Sequence, residues 1–162
     1  AGEVPRGTIR FLGGPAPLAE PKASGRLEFA RGIADERNPL TARVYVNRIW
    51  HHLFGAGIVR TVDDFGHLGE TPSHPELLDW LAHQFMEDDW STKALIRRIV
   101  TSSAWRQSGQ AHPAAVTADP DNRLVHHMPL RRLEAEAIRD AILAAAGRLD
   151  PALYGEPVDP YR

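Results

Sequence analysis

Residues 38–66 read NPLTARVYVNRIWHHLFGAGIVRTVDDFG, and this stretch decides the fold. Asn38 is typical of a helix N-cap, and Pro39 suits the first turn because its missing N–H would have no partner there anyway. Gly55 predicts a left-handed helix end. Between these signals the apolar residues recur at helical spacing. The apolar face that they form comprises Leu40, Val44, Val46, Ile49, Trp50, Leu53 and Phe54.

Further helices are predicted along the rest of the chain. The apolar spacing after Gly25 indicates one helix up to about Asp35. Ser73 and Glu76 form a capping box at the start of another helix. Ser91 caps a third helix, and residues 131–146 form a last strong segment before a glycine stop.

The remaining segments have the composition of irregular structure. Prolines and glycines in residues 1–24 predict a lead-in arm, in which residues 7–12 could be extended. Residues 110–118 are interpreted as a linker, and residues 119–125 as a short helix. No alternating run is long enough to predict a strand. The predicted fold class is therefore mainly α, a single compact bundle of about four to five helices around the tryptophan-bearing one.

The composition limits the classes of protein to which the chain can belong. With 162 residues, of which 43% are hydrophobic and 25% are charged, the chain suits a globular domain with one substantial core. The formal net charge of -2 argues against a surface built to neutralise nucleic-acid phosphates. The chain has no cysteine, which excludes disulfides, thiolate zinc sites and covalent c-type haem attachment within it. We expect no cofactor in this chain.

The two ends of the chain predict that it is a piece of a longer protein. It begins with Ala1 and stops at VDPYR, where no element is being finished. It contains neither a signal peptide nor an apolar run long enough to span a membrane. We expect the helical domain to cover residues 25–158, as a fragment of a longer domain, with a truncated tail at residues 159–162.

A polar stripe runs along the tryptophan-bearing helix. Arg43 and Asn47 are one turn apart, and carboxylates from the following turn and from the last helix could face them. Two interpretations stay open: an acid–base or ligand cleft, and arginine–carboxylate pairs that hold helix against helix. The candidate catalytic residues are Arg43, Asn47, Asp64 and Glu134, and the candidate binding residues are Arg48, His51, Glu136, Arg139 and Asp140.

The eight histidines raise the question of a metal site. His74, Asp79 and His83 are a weak candidate set, because Asp79 and His83 are one helical turn apart and His74 precedes the same helix. The alternative is a helix-start residue and a solvated pair. The adjacent pairs 51–52 and 126–127 point in different directions on a helix, so we interpret them as surface residues.

Five stretches carry a family resemblance. In chain order they read NPLTARVYVNRIWHHLFGAGIVRTVDDFG, GETPSHPELLDWLAHQF, WSTKALIRRIVTSSAWRQS, DPDNRL and RRLEAEAIRDAIL. From about Ser24 to Val158 the chain resembles the planctomycete-specific cytochrome-associated domain of unknown function. The resemblance implies a helical module of a large exported protein, periplasmic or at the cell surface, without established activity. It also implies that the partners are neighbouring domains of the same polypeptide, that any c-type haem belongs to those neighbours, and that Trp50 and Trp80 are folding positions.

Three functional hypotheses remain. The first is a structural or accessory module that exposes an apolar patch where its neighbours dock. The second is a hydrolase or redox-linked enzyme that acts on extracellular polymers. The third is a helix-turn-helix-like nucleic-acid binder that uses Arg97, Arg98 and Arg106, but the acidic turn at residues 87–89 would repel phosphate. We expect no nucleic-acid partner and no membrane insertion by this segment.

Overall fold

The computed structural model describes residues 24–152, and the helices within this range confirm the mainly α fold class. The described residues contain no strand. The predicted extended piece at residues 7–12 and the tail at residues 159–162 lie outside them. The chain divides into two compact units, Ala1–Pro129 and Leu130–Arg162. The helices are α1 (Arg26–Ile33), α2 (Thr41–Phe54), α3 (Pro75–Glu87), α4 (Thr92–Val100), α5 (Pro113–Ala118) and, in the second unit, α6 (Ala135–Ala145).

The core of the first unit lies between α2, α3 and α4. Trp50 retains only 6% of its exposure, and Leu53 is partly buried against the same cluster, so the predicted central role of α2 is confirmed for α3 and α4. Leu81 of α3 and Leu95 of α4, the two helices that face α2, are also buried. Each such side chain contributes roughly 1.5–3 kcal/mol by leaving water. The buried apolar residues are Ala42, Val46, Trp50, Phe54, Ile58, Val59, Leu78, Leu81, Ala82, Phe85, Leu95 and Ile99.

Aromatic contacts fix how the core helices meet. The rings of Tyr45 and Phe85 stack across α2 and α3 with centroids 4.9 Å apart. Trp90, in the turn after α3, meets Phe85 edge-on at 5.4 Å. Trp50 stacks on Phe54 within α2 at 4.2 Å. Offset and edge-on aromatic pairs contribute about 0.5–1.5 kcal/mol beyond the burial of their area.

The start of α2 differs from the prediction, because Asn38 lies two residues before the N-cap of the helix. The N-cap residue is Leu40, which makes no side-chain cap, and Pro39 lies outside the helix. The buried Asn38 accepts a hydrogen bond from the Leu40 N–H at 3.0 Å and donates to the Ile33 carbonyl at 3.2 Å. Thr41 donates to the same carbonyl at 2.6 Å. Asn38 therefore joins the end of α1 to the start of α2.

Two of the other predicted helix boundaries are confirmed and one is wrong. Gly55 ends α2 with a φ of 87°, and the Ser91 hydroxyl accepts the Ala94 N–H at the start of α4. The capping box of Ser73 and Glu76 does not form. The N-cap of α3 is His74, and the Ser73 hydroxyl bonds the Ile58 carbonyl and the His74 ring instead.

The predicted order of linker and short helix is reversed. Residues 113–118, which belong to the predicted linker, form α5, because Pro113 fits a first turn and the His112 ring accepts the Ala114 N–H at 3.3 Å. Residues 119–125 are irregular. The Asp119 carboxylate accepts two backbone N–H groups further along, and this closes a loop instead of starting a helix.

The last helix is shorter than predicted, and its end is confirmed. It begins at Ala135, because Glu134 is extended with a ψ of 154°. Gly147, in the left-handed region with a φ of 66°, follows the Ala146 C-cap. Among the described helices, none combines the length and the apolar character needed to cross a membrane.

The turn after α1 provides a pH prediction. The side-chain hydrogen bonds from the Arg37 guanidinium lower the pKa of Asp35 to about 2. Because the pKa of Asp35 is lower in the folded state, the ion pair stabilises the turn at pH values above the pKa of the unfolded state. This stabilisation is lost as the pH falls through about 2. We expect the Arg37→Ala variant to raise the Asp35 pKa toward its ordinary value of 3.8, read by NMR titration of its carboxyl carbon. An unchanged titration would show that the pair does not form in solution.

Candidate functional site

The polar stripe of α2 begins with an ion pair between helices. The Arg43 Nε atom donates to Asp79 Oδ1 of α3 at 2.6 Å. The two side chains keep 36% and 57% of their exposure, so the pair contributes at most about 1 kcal/mol. Arg43 also donates to the carbonyl of Pro39. This geometry supports the interpretation of helix-to-helix pairing for Arg43.

Asn47, the second candidate catalytic residue, is completely buried. Its amide nitrogen donates to the Val59 carbonyl at 2.9 Å, and its amide oxygen accepts the Val59 N–H at 2.9 Å. Both polar atoms of the side chain are therefore hydrogen-bonded to the backbone of a single residue beyond the helix. A catalytic or binding group must reach a ligand, and this amide faces the interior.

The carboxylates after α2 are used in two different ways. Arg48 pairs with Asp63, as the stripe predicted for this turn. Asp64 is exposed, and its carboxylate accepts the Gly66 N–H at 2.8 Å while its carbonyl accepts the Thr61 hydroxyl at 2.8 Å. Asp64 thus shapes the loop that contains it.

His51 carries a buried Nδ1 atom without a hydrogen-bond partner among the described residues. The other candidates, Glu134, Glu136, Arg139 and Asp140, all belong to the second unit. Glu134 is the N-cap residue of α6 without a side-chain cap, and Arg139 donates to the neighbouring Asp140 at 3.2 Å. The predicted cleft formed by Glu134 together with the α2 stripe stays a prediction.

Two of the three candidate metal ligands have other partners in the structure. Asp79 bonds Arg43, and the His74 Nδ1 atom lies 2.9 Å from the Ser73 hydroxyl. Between residues 24 and 152, no group of three or more histidine and acidic side chains is arranged to hold a metal ion. His83 is exposed on α3.

Arg98, one of the arginines of the nucleic-acid hypothesis, bridges α3 and α4. It donates to Asp88 at 2.7 Å, and its guanidinium lies 5.6 Å from the centre of the Trp80 ring, which permits a cation–π contact. Trp80 is 49% exposed. It is therefore a surface partner of Arg98, whereas the resemblance had implied a folding position.

An apolar groove opens beside the first turns of α2. Its volume is about 540 Å³. Ile33, at its α1 side, keeps 41% of its exposure, and Tyr45 is also exposed. Phe29, one turn before Ile33 on α1, adds another exposed apolar side chain. We call this feature the α2 groove; it is lined by Ile33, Asn38, Leu40, Thr41, Val44, Tyr45 and Arg48.

A second feature, which the sequence pattern did not predict, is the loop of residues 119–128, which we call the histidine loop. The Leu124 N–H, which donates to the Asp119 carboxylate at 2.7 Å, lowers the pKa of that carboxyl; burial opposes this, and the Arg123 N–H and the charges of His126 and Arg60 assist it. The Asp-Pro-Asp-Asn composition of residues 119–122 is typical of a turn and could have predicted this loop.

The histidine loop is held to the rest of its unit by long-range hydrogen bonds. Arg60 donates to the Asp121 carbonyl at 2.7 Å, and Gln107 donates to the Val125 carbonyl at 2.8 Å. Asn122 and Val125 have φ values of 50° and 54°, in the left-handed region. For a β-branched residue such as Val125 this conformation is strained. The surrounding bonds therefore impose a specific shape on the loop.

Comparison with known proteins identifies one family. The family described as Protein of unknown function (DUF1553) matches residues 25–162. No curated protein and no solved structure matches the chain.

Proposed function

Because the chain belongs to the family described as Protein of unknown function (DUF1553), family membership brings no activity with it, and we propose that it is a helical interaction module without a catalytic role. The α2 groove carries the proposal. It is a concave feature with a volume of about 540 Å³, and apolar residues are exposed at its edge. Exposed apolar concavities of this kind mark surfaces that other groups cover.

The polar residues support the same proposal. Arg43 bonds Asp79, Asn47 bonds the backbone of Val59, and the Asp64 carboxylate bonds the Gly66 N–H. Three of the four candidate catalytic side chains thus make structural contacts. An acid–base site needs groups that reach a substrate with their bonding capacity available.

The occupant that we propose for the α2 groove is a neighbouring domain of the same polypeptide, in a large exported protein. The resemblance in the motifs supports this context. The chain contains no cysteine, so a covalently attached c-type haem in such a protein would need the cysteines of another domain. Arg48 also lines the groove and pairs with Asp63, so it would offer a docked segment a polar contact.

A photo-crosslinking experiment in the parent protein tests the proposal. We replace Ile33 by p-benzoyl-phenylalanine, because its side chain lines the α2 groove and is 41% exposed. We expect crosslinks within the same polypeptide to peptides outside residues 25–162, identified by mass spectrometry.

The matched control carries the same probe at Lys93, an exposed position on α4. The proposal is wrong if the probe at Ile33 crosslinks no more than the probe at Lys93. Crosslinks between two copies of the protein would also overturn it, because they assign the groove to self-association.

A further inference from the structure

Two neighbouring histidines in the histidine loop face each other through their ring nitrogens. The Nδ1 atoms of His126 and His127 are 3.3 Å apart, and the ring centroids are 4.6 Å apart. The sequence pattern predicts that both residues lie on a helix, where adjacent side chains diverge. That premise is wrong, because residues 119–128 are irregular and the loop turns the two rings toward each other.

The hydrogen bonds around the pair determine where one of the protons lies. The His126 Nε2 atom is 3.1 Å from the Asp119 carbonyl, which can only accept. Nε2 must therefore carry a proton, and in the neutral ring Nδ1 keeps its lone pair. The hydrogen bond between the two rings then uses the Nδ1 proton of His127.

This arrangement has the features of a metal-binding histidine. A ligating imidazole commonly donates its second N–H to a backbone carbonyl, which fixes its tautomer and its orientation. His126 already makes that bond to Asp119. For Zn–N bonds of about 2.0–2.1 Å, a tetrahedral ion holds two nitrogens about 3.3 Å apart. The observed separation of the two Nδ1 atoms matches this requirement.

The backbone that carries the two histidines is held in place. The Asn122 amide oxygen accepts the His126 N–H at 2.9 Å and the His127 N–H at 3.4 Å, and its amide nitrogen donates to the His127 carbonyl at 2.9 Å. Asn122 thus fixes the backbone from which the two rings project, and the bond to the Asp119 carbonyl holds the His126 ring. A preformed site needs less ordering when it binds.

We infer that the Nδ1 atoms of His126 and His127 form a two-histidine chelate for a divalent first-row transition-metal ion such as Zn²⁺. Imidazole nitrogens suit Zn²⁺, Cu²⁺ and Ni²⁺. On binding, His127 moves its proton from Nδ1 to Nε2 through solvent, so that both Nδ1 lone pairs reach the ion. Water or a donor group of a docking partner completes the coordination, because the described residues supply no cluster of three ligands.

Titration with Zn²⁺ alone tests this inference on the 162-residue chain. We expect one equivalent to bind in isothermal titration calorimetry. The His127→Ala variant should weaken binding by about tenfold or more, because even the loss of a hydrogen-bond partner of a ligand costs about 10–100-fold. The control His83→Ala removes a single exposed histidine of α3 and should leave the affinity unchanged.

A second measurement uses the wild-type chain, so its result does not depend on the folding of a variant. In ¹⁵N NMR spectra of the histidine rings, Zn²⁺ should shift Nδ1 of both His126 and His127, while Nε2 of His126 stays protonated. Equal affinity of the wild type and His127→Ala would overturn the inference. So would Zn²⁺ that leaves both Nδ1 signals unchanged.

Discussion

Replacing Asn47 by alanine is expected to lower the free energy of unfolding by about 3 kcal/mol, because each unsatisfied buried polar group costs roughly 1–3 kcal/mol. The substitution leaves the N–H and the carbonyl of Val59 without partners, and Val59 itself is only 2% exposed. Urea denaturation followed by circular dichroism measures the loss. In a chain of this length, the midpoint of thermal unfolding should fall by roughly 6–12 °C.

The control for this variant is Gln110→Ala, which removes an exposed amide. Surface substitutions of this kind change stability by about 0.5 kcal/mol or less. If Asn47→Ala were as stable as this control, the two hydrogen bonds to Val59 would have no energetic role.

The Asn47→Asp variant separates hydrogen bonding from shape. At neutral pH the buried carboxylate still accepts the Val59 N–H, but it has no donor for the Val59 carbonyl and its charge is desolvated. We therefore expect a larger loss than for alanine. Protonation supplies an O–H donor, and burial favours the protonated form.

The sign of the pH dependence follows from that preference. A carboxyl that is easier to protonate in the folded state contributes stability at low pH and loses it as the pH rises. The difference in unfolding free energy between Asn47→Asp and the wild type should therefore shrink as the pH is lowered. A difference that does not change with pH would contradict the assigned donor and acceptor.

Replacing Gly57 by alanine is the second change with a large expected effect. A Cβ atom at this buried position would collide with the Val59 carbonyl oxygen and lie 2.8 Å from the Asn47 amide nitrogen. Backbone cannot yield as a flexible side chain can, so we expect a loss of about 3 kcal/mol, the upper part of the usual range for overpacking. Urea denaturation again provides the measurement.

Gly66→Ala is the matched control, since the same substitution in the same loop meets only the side chain of Asp64, at 3.1 Å. We expect the control to cost less than about 1 kcal/mol. Equal losses at the two positions would mean that the contact with Val59 is not the cause. Combining Gly57→Ala with Asn47→Ala should cost less than the sum, because the two residues share a contact.

The parts of the fold that rest on local signals could be predicted from the sequence. Gly55 ended α2 and Ser91 capped α4 because each acts on residues next to it. Trp50 was placed in the core from helical spacing alone. The capping box at Ser73 failed because its hydroxyl has a competing partner, the Ile58 carbonyl, fifteen residues earlier in the chain.

The site could be predicted only in part, because polar side chains find partners that spacing does not reveal. Asn47 has the spacing of a polar stripe, yet it is buried, since Val59 returns to it after the Gly55 turn. A short helix is predicted over residues 119–125, and the Asp119 carboxylate closes a loop there instead by accepting the Leu124 N–H. Tertiary hydrogen bonds decided both cases.

The junction between α1 and α2 has a consequence for motion. The side chains of Asn38 and Thr41 both donate to a single acceptor, the Ile33 carbonyl, and no residue of α1 is buried. Detaching α1 would therefore break few bonds, at about 1–3 kcal/mol, against about 5–15 kcal/mol for global unfolding. The first helix can exchange its amide hydrogens through a local opening that leaves the α2–α4 core intact. A partner bound in the α2 groove would slow that exchange. The amide exchange rate of α1 therefore indicates whether the groove is occupied.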